Sequence, residues 1–127
     1  MNEPVFLSVQ QTEALHDKAI REFGGTHGLR DRATLESAIF HPQNVFFYGR
    51  VDLYDIAAAY AFHLAEAQAF LDGNKRVAVS AALTFLEANG IRTNQDSMPL
   101  YNAMISLGPK AMPKLELAAL MRQLFPS

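Results

Sequence analysis

The chain has 127 residues, 50% hydrophobic and 19% charged, a composition typical of one soluble globular domain. Its net charge of −2 argues against direct binding to nucleic acid or to an anionic membrane, so an anion would need a local binding cluster. The absence of cysteine excludes disulfides and thiolate zinc sites. The first residues, Met1 to Pro4, lack the basic segment that opens an export signal, so we expect a cytoplasmic protein.

A first helix is expected to begin at about Val9. Ser8 and Gln11 have the spacing of a capping box, in which a hydroxyl and an amide side chain bond to each other's backbone N–H groups. Gly24-Gly25 supplies the left-handed residue that commonly ends a helix. Apolar residues recur at helical spacing between these points: Leu15, Ala19, Ile20 and Phe23.

A second, shorter helix is expected after Asp31, which is a good N-cap residue. We expect His41-Pro42 to stop this helix, because proline disfavours the helical conformation in the residue before it. The aromatic segment from Gln43 to Arg50 is then predicted to form an irregular loop that covers part of the core.

Two long apolar helices are predicted in the middle of the chain, Leu53 to about Ala69 after an N-cap at Asp52, and about Asn74 to Asn89. Both are apolar on nearly every side, which indicates a buried central pair. Four polar interruptions argue against a membrane span in the first of them. The second has one polar stripe within about 80° of its helical wheel, open to solvent or ligand: Arg76, Ser80, Thr84 and Glu87.

The C-terminal third predicts two further helices, Met98 to Leu107 and Lys114 to Phe125, separated by Gly108-Pro109. No alternating strand pattern of useful length and no internal repeat is visible. We therefore expect an all-α fold of about six helices around the central pair, with residues 1–127 forming a single domain.

A polar turn, Asp72 to Arg76, lies between the two long helices. It falls at the N-terminus of the second one, where unpaired backbone N–H groups and the helix dipole favour an anion. Gly73 allows close approach of the backbone, Lys75 and Arg76 add positive charge, and Asp72 can hold a magnesium ion that bridges phosphate oxygens. The alternative is that Asp72 merely caps the helix and that the basic side chains are solvated.

The segment Phe70-Leu71-Asp72-Gly73-Asn74-Lys75-Arg76 resembles the signature of the Fic/Doc family, His-Pro-Phe-x-Asp-Gly-Asn-Lys-Arg. The similarity to the Doc branch extends to Phe23-Gly24-Gly25, to Gly28-Leu29-Arg30-Asp31 and to Thr84 through Gly90. It implies a compact helical toxin of a type II toxin–antitoxin pair that uses ATP to modify a protein hydroxyl and so blocks translation. Most Fic enzymes transfer AMP, whereas the Doc branch is similar to a kinase of a threonine on translation elongation factor Tu.

The resemblance also assigns roles to the residues of the turn. Asp72 would bind Mg²⁺, Gly73 and Asn74 would form an anion hole, and Lys75 and Arg76 would hold the phosphates of ATP. Phe70 would anchor the turn in the core. Some Fic proteins inhibit themselves with a helix that carries a glutamate followed by Gly or Asn. No glutamate of this chain is followed by either residue. A cognate antitoxin on a separate chain is therefore the expected inhibitor.

The chain departs from the family pattern at Gln68 and Ala69, which stand at the positions of the motif histidine and proline. A carboxamide can orient a hydroxyl but cannot take its proton near neutral pH, and the loss of a positioned base costs about 10²–10⁴ in rate. On a helix continued through Gln68, His63 lies about 140° and Glu66 about 200° away, so neither is expected to replace the base. A base from the substrate, from ATP or from a distant residue stays open.

Three hypotheses follow. The first is an active ATP-dependent toxin, and the second is a pseudoenzyme of the same fold that binds nucleotide or antitoxin only. The third is a small helical DNA-binding or scaffold protein, which the acidic balance and the lack of a basic recognition helix disfavour. His16 and His63 are expected to be structural rather than catalytic.

Overall fold

The computed structural model describes residues 2–127, which form six α-helices and no strand beyond a single isolated bridge. This confirms the predicted all-α class. The helices in chain order are α1 (Val9–Phe23), α2 (Arg32–Tyr48), α3 (Leu53–Ala67), α4 (Asn74–Ala88), α5 (Met98–Ile105) and α6 (Lys114–Leu124).

Local hydrogen bonding explains where α1 begins and ends. The Gln11 backbone N–H donates to the Ser8 hydroxyl at 3.1 Å, and the Ser8 N–H donates to the Gln11 side chain at 2.8 Å, so the predicted capping box is present. After Phe23 the chain turns at Gly24, whose φ of 83° favours glycine as expected, but its ψ of 174° lies outside the left-handed helical conformation of the predicted cap.

The prediction for the second helix was correct at its start and wrong at its end. Asp31 caps α2, and hydrogen bonds from the Thr34 hydroxyl and then from backbone N–H groups lower the pKa of its carboxyl group. The helix does not stop at Pro42 but continues through it to Tyr48, so the expected loop over residues 43–50 is mostly helical.

Packing supports α2 beyond Pro42. Pro42 is buried, α2 packs against α3, and the Phe46 ring packs edge-on against Phe6 at a centroid distance of 5.9 Å. Proline costs a helix one hydrogen bond and a local clash. Val45 and Phe46, in the turn that follows, are partly buried against the core, and the apolar area that they remove from water offsets part of this cost.

The central pair is α3 and α4, as predicted. α3 packs against α2, α4 and α6, and small side chains such as Ala57, Ala58 and Ala61 are completely buried in it. α3 ends at Ala67, two residues before the predicted end, and its C-cap Gln68 has left-handed geometry with φ of 49°. None of the helices in residues 2–127 is long and apolar enough to cross a membrane.

Candidate functional site

A cleft of about 420 Å³ opens where α3 ends and α4 begins. We call it the 68–76 cleft. Every site residue predicted from the sequence lines it, together with residues of α5 and of two loops. The lining residues are Arg30, Ala65, Glu66, Gln68, Leu71, Asp72, Gly73, Asn74, Lys75, Arg76, Tyr101, Pro109 and Ala111.

The side chain of Asn74 holds the turn in shape. Its Oδ1 accepts from the Phe70 N–H at 3.1 Å, and its Nδ2 donates to the Phe70 carbonyl at 3.0 Å. Gly73, with φ of 74°, lets the chain reverse between these two residues. Both ends of the Asn74 carboxamide are thus bonded to the backbone of Phe70, and the Asn74 backbone N–H is the group that can face an anion.

Phe70 and His16 tie the same turn to the rest of the molecule. Phe70 is 3% exposed, which agrees with an anchor in the core. The buried ring of His16 stacks on it with centroids 3.8 Å apart, and His16 Nε2 donates to the Asp72 carbonyl at 2.6 Å. His16 is therefore structural, as predicted, but the sequence offered no sign that it supports the turn.

A second set of backbone contacts fixes the turn from the other side. The Leu71 N–H donates to the Gly28 carbonyl at 3.0 Å, and the Arg30 N–H donates to the Ala69 carbonyl at 2.7 Å. These bonds flank an isolated antiparallel bridge between Leu29 and Phe70. The loop between α1 and α2 is thus the outer support of the 68–76 cleft.

The carboxylate of Asp72 is exposed and held by two backbone donors. Oδ2 accepts from the Thr26 N–H at 3.0 Å and Oδ1 from the Gly73 N–H at 2.8 Å. Each oxygen keeps a free lone pair, and Mg²⁺ in phosphate sites is commonly held by one or two carboxylates, with waters and phosphate oxygens completing the shell. Residues 2–127 contain no group of three or more acidic or histidine ligands. The single carboxylate of Asp72, beside the N-terminus of α4, fits Mg²⁺ held in this way.

The N-terminus of α4 presents unpaired donors to the cleft. Within residues 2–127 no acceptor is found for the backbone N–H groups of Asn74, Lys75 and Arg76. The first N–H groups of an α-helix have no intrahelical partner, and they carry the positive end of the helix dipole. Because the Gly73 N–H already donates to Asp72, the unpaired N–H groups of this turn belong to the three residues after Gly73.

The two basic side chains of the turn have different environments. Lys75 Nζ donates to the carbonyl groups of Met104, at 3.2 Å, and of Gly108, so it holds the C-terminal end of α5. The Arg76 guanidinium lies between the rings of Phe23 and Tyr101, 3.8 Å from each centroid. Sequence reasoning missed these two aromatic residues, since they lie far from the turn along the chain and carry no local signal.

The structure corrects the expected placement of Glu66. The helical wheel put it about 200° from Gln68, but α3 ends at Ala67 and Gln68 is in the left-handed region, so the wheel does not apply to it. Both exposed side chains line the 68–76 cleft. The Glu66 carboxylate therefore lines the same cleft as Gln68, the position at which the family motif has its histidine.

His63 lies outside this cleft, as its predicted structural role requires. Its half-buried ring stacks on His41 with centroids 4.0 Å apart, and Lys114 Nζ donates to its Nε2 at 3.2 Å. Burial, followed by the charges of His41 and Lys114, lowers the pKa of His63 to about 4. The ring is neutral at physiological pH and bound to a neighbouring cation.

The polar stripe predicted for α4 is divided between two concave surfaces. Arg76 lines the 68–76 cleft, whereas Ser80, Thr84 and Glu87 line a groove of about 280 Å³ beside α1. The other wall of this groove includes Leu15 and other residues of α1, and the loop before α5 closes one end. The stripe is therefore open to solvent, as expected.

Comparison with known proteins agrees with this geometry. Residues 6–86, which include the whole turn and α1 to α3, match the Fic/DOC family. The chain is 36% identical over 87 residues to the protein kinase Doc of Escherichia phage P1, an alignment that covers 68% of this chain and 69% of that protein. It is 42% identical over 78 residues to Toxin Doc of Mycolicibacterium smegmatis, with 58% of each chain covered. The chain belongs to the Fic/DOC family.

Proposed function

We propose that this chain is the toxin of a type II toxin–antitoxin pair. In this proposal it transfers the γ-phosphoryl group of ATP to a threonine or serine hydroxyl of translation elongation factor Tu and thereby blocks translation in the cytoplasm. The observation that carries the proposal is the set of unpaired N–H groups at the start of α4, beside the carboxylate of Asp72 and the guanidinium of Arg76. The names of the two relatives, a protein kinase and a toxin, support the same class of activity.

The phosphates would bind along the N-terminus of α4. The N–H groups of Asn74, Lys75 and Arg76 donate to the phosphate oxygens, and the Arg76 guanidinium supplies charge. Asp72 would hold Mg²⁺, which neutralises negative charge on the phosphate oxygens. Lys75 contributes its N–H rather than its ammonium group, because that group is bound to α5.

Gln68 and Glu66 would act on the acceptor hydroxyl. The Gln68 carboxamide orients the hydroxyl by hydrogen bonding, and the Glu66 carboxylate takes its proton as the oxygen attacks the γ-phosphorus. The bond between the γ-phosphorus and its bridging oxygen breaks, and ADP leaves. AMP transfer to the same hydroxyl would need the α-phosphorus at this position instead, with pyrophosphate leaving.

The test is incubation with elongation factor Tu and ATP labelled at either the γ- or the α-phosphate. Label from γ-phosphate indicates phosphoryl transfer, and label from α-phosphate indicates AMP transfer. We expect γ-label with the parent protein, a loss of at least tenfold in Glu66→Gln, and none in Arg76→Ala. Retention of full activity in Glu66→Gln would refute the assignment of the base.

A second candidate follows from Gln68. Because this residue cannot take a proton, the chain could be a pseudoenzyme that binds nucleotide or antitoxin without transfer. No label with the parent but label with Gln68→His would establish that reading and refute the active enzyme. Failure of the parent to bind ATP at all would contradict both candidates.

A separate antitoxin chain is part of the proposal. The groove lined by Ser80, Thr84 and Glu87 continues the polar face of α4 away from Arg76, so a short helix docked there would lie next to the phosphate site. Co-expression with the adjacent reading frame should yield a stable complex in which labelling is suppressed. Substitution of Thr84 by arginine should release that suppression.

A further inference from the structure

The guanidinium of Arg76 lies in an aromatic sandwich. Its central carbon is 3.8 Å from the ring centroid of Phe23, the last residue of α1, and 3.8 Å from that of Tyr101 in α5. Three helices that are distant in sequence therefore meet at one side chain of α4. Two ring contacts at this distance are well within the range of about 6 Å in which a cation is attracted to a ring face.

The sandwich leaves the hydrogen-bonding edge of Arg76 free. The central carbon lies over both ring faces, whereas the five N–H donors of the group point outwards in the guanidinium plane. Among residues 2–127, no acceptor and no carboxylate is within bonding distance of these donors, although the side chain is half-buried and lines the 68–76 cleft. By contrast, Arg122 makes three hydrogen bonds to Asp52 and Asp55.

We propose that Phe23 and Tyr101 are positioning residues that hold the edge of Arg76 towards an anion in the 68–76 cleft. This inference rests on the proposed binding of nucleotide phosphates there. A free arginine loses much rotamer freedom when it binds an anion, and the sandwich removes that freedom before the ligand arrives. Removal of one ring should weaken anion binding about two- to fivefold, the equivalent of one exposed cation–π contact.

The opposite arrangement, in which the rings keep Arg76 away from the anion, predicts the opposite change in anion affinity when a ring is removed. Loss of a ring would then release the guanidinium and strengthen binding. The structure favours the positioning role because Arg76 and Tyr101 both line the cleft while the sandwich is formed.

Titration calorimetry with Mg·ATP and with tripolyphosphate tests the inference. The variants are Phe23→Leu and Tyr101→Leu, with Tyr101→Phe as the conservative replacement that keeps the ring. Phe40→Leu is a matched control, since Phe40 is 57% exposed, close to the 54% of Phe23, and does not line the cleft. We expect both Leu variants to bind both ligands two- to fivefold more weakly, and Tyr101→Phe and Phe40→Leu to bind as the parent does.

A double-mutant cycle separates positioning from general support of the fold. In an Arg76→Ala background, Tyr101→Leu should have no further effect on tripolyphosphate binding, because the side chain that it positions is gone. An equal loss in both backgrounds would overturn the inference, and so would a loss with ATP but not with tripolyphosphate, which would place Tyr101 on the nucleobase.

The remaining outcomes separate a failure of the positioning role from a failure of nucleotide binding. Equal or tighter binding by both Leu variants overturns the positioning role and leaves nucleotide binding intact, whereas no binding by the parent overturns both. If Tyr101→Leu fails to fold, Phe23→Leu still tests the sandwich, because its ring is more than half exposed. In the folded parent, the Arg76 Nε–H resonance should be shifted upfield by the rings and should move back in Phe23→Leu.

Discussion

Replacement of Asn74 by alanine should destabilise the fold and disable the anion site together. The substitution removes the two hydrogen bonds that the carboxamide makes to the backbone of Phe70. Phe70 is only 3% exposed, so water cannot easily replace them. With about 1–1.5 kcal/mol for each bond and a further penalty for the unsatisfied groups, the free energy of unfolding should fall by about 2–4 kcal/mol.

Urea denaturation followed by circular dichroism measures this change. For a slope of about 2 kcal/mol per molar, the midpoint should fall by roughly 1–2 M with the slope unchanged. Asn74→Asp should not restore stability, because it keeps the acceptor for the Phe70 N–H but turns a carboxylate oxygen towards the Phe70 carbonyl. Mg·ATP binding should be weakened in both variants, since the turn that aligns the α4 N–H groups is no longer held.

Asn89 provides the matched control. Its side chain makes the same pair of bonds to the backbone of Val5, at 2.8 and 3.0 Å, but Val5 is 60% exposed and does not line the cleft. Asn89 Nδ2 also donates to the Phe85 carbonyl of α4 at 2.8 Å. Asn89→Ala should cost less than Asn74→Ala, about 1–2 kcal/mol, because water can solvate the freed groups of the exposed Val5 and only the bond to the Phe85 carbonyl is part-buried. It should leave Mg·ATP affinity unchanged. A midpoint for Asn74→Ala no lower than that for Asn89→Ala would refute the reasoning.

Three further predictions concern the loop beside the cleft and two titrating groups. Gly25→Ala places a Cβ 2.7 Å from Asp72 Oδ2 and should weaken Mg²⁺ binding, whereas Gly24→Ala, with nothing within 4 Å, should show only the backbone strain of a positive φ. Equal Mg²⁺ affinity in the two variants, measured by calorimetry, would contradict the steric argument. The pKa of His63 is lowered from 6.5 to about 4, so the neutral ring stabilises the fold above pH 6.5 and this contribution is lost as the pH falls towards 4. His63→Gln should therefore lose less stability than the parent over that range, and a histidine NMR titration should show the low pKa directly. The lowered pKa of Asp31 contributes stability above about pH 3.8 that is lost as the pH falls through the folded value. Asp31→Asn keeps an N-cap residue, so the urea midpoint of this variant should fall less steeply than that of the parent as the pH is lowered below about 3.8. An equally steep fall would count against the capping bonds as the cause.

Much of the fold could be read from short-range chemistry. The capping box at Ser8 and the N-caps at Asp31 and Asp52 act on backbone groups within three residues, so their spacing in the sequence is sufficient to place the start of each helix. The nearly continuous apolar character of α3 and α4 likewise required burial on all sides, which only a central position provides. The position of the turn from Asp72 to Arg76 followed from these helices.

The tertiary structure decided what depends on contacts between distant residues. Packing against other parts of the chain carried α2 through Pro42, where local preference alone predicted an end. Glu66 and Gln68 line one cleft because α3 ends between them, and α1 and α5 each place one ring beside Arg76 of α4. A sequence indicates the chemical groups and the local bonds that they can form. Which side chains contact each other depends on the packing of elements far apart along the chain.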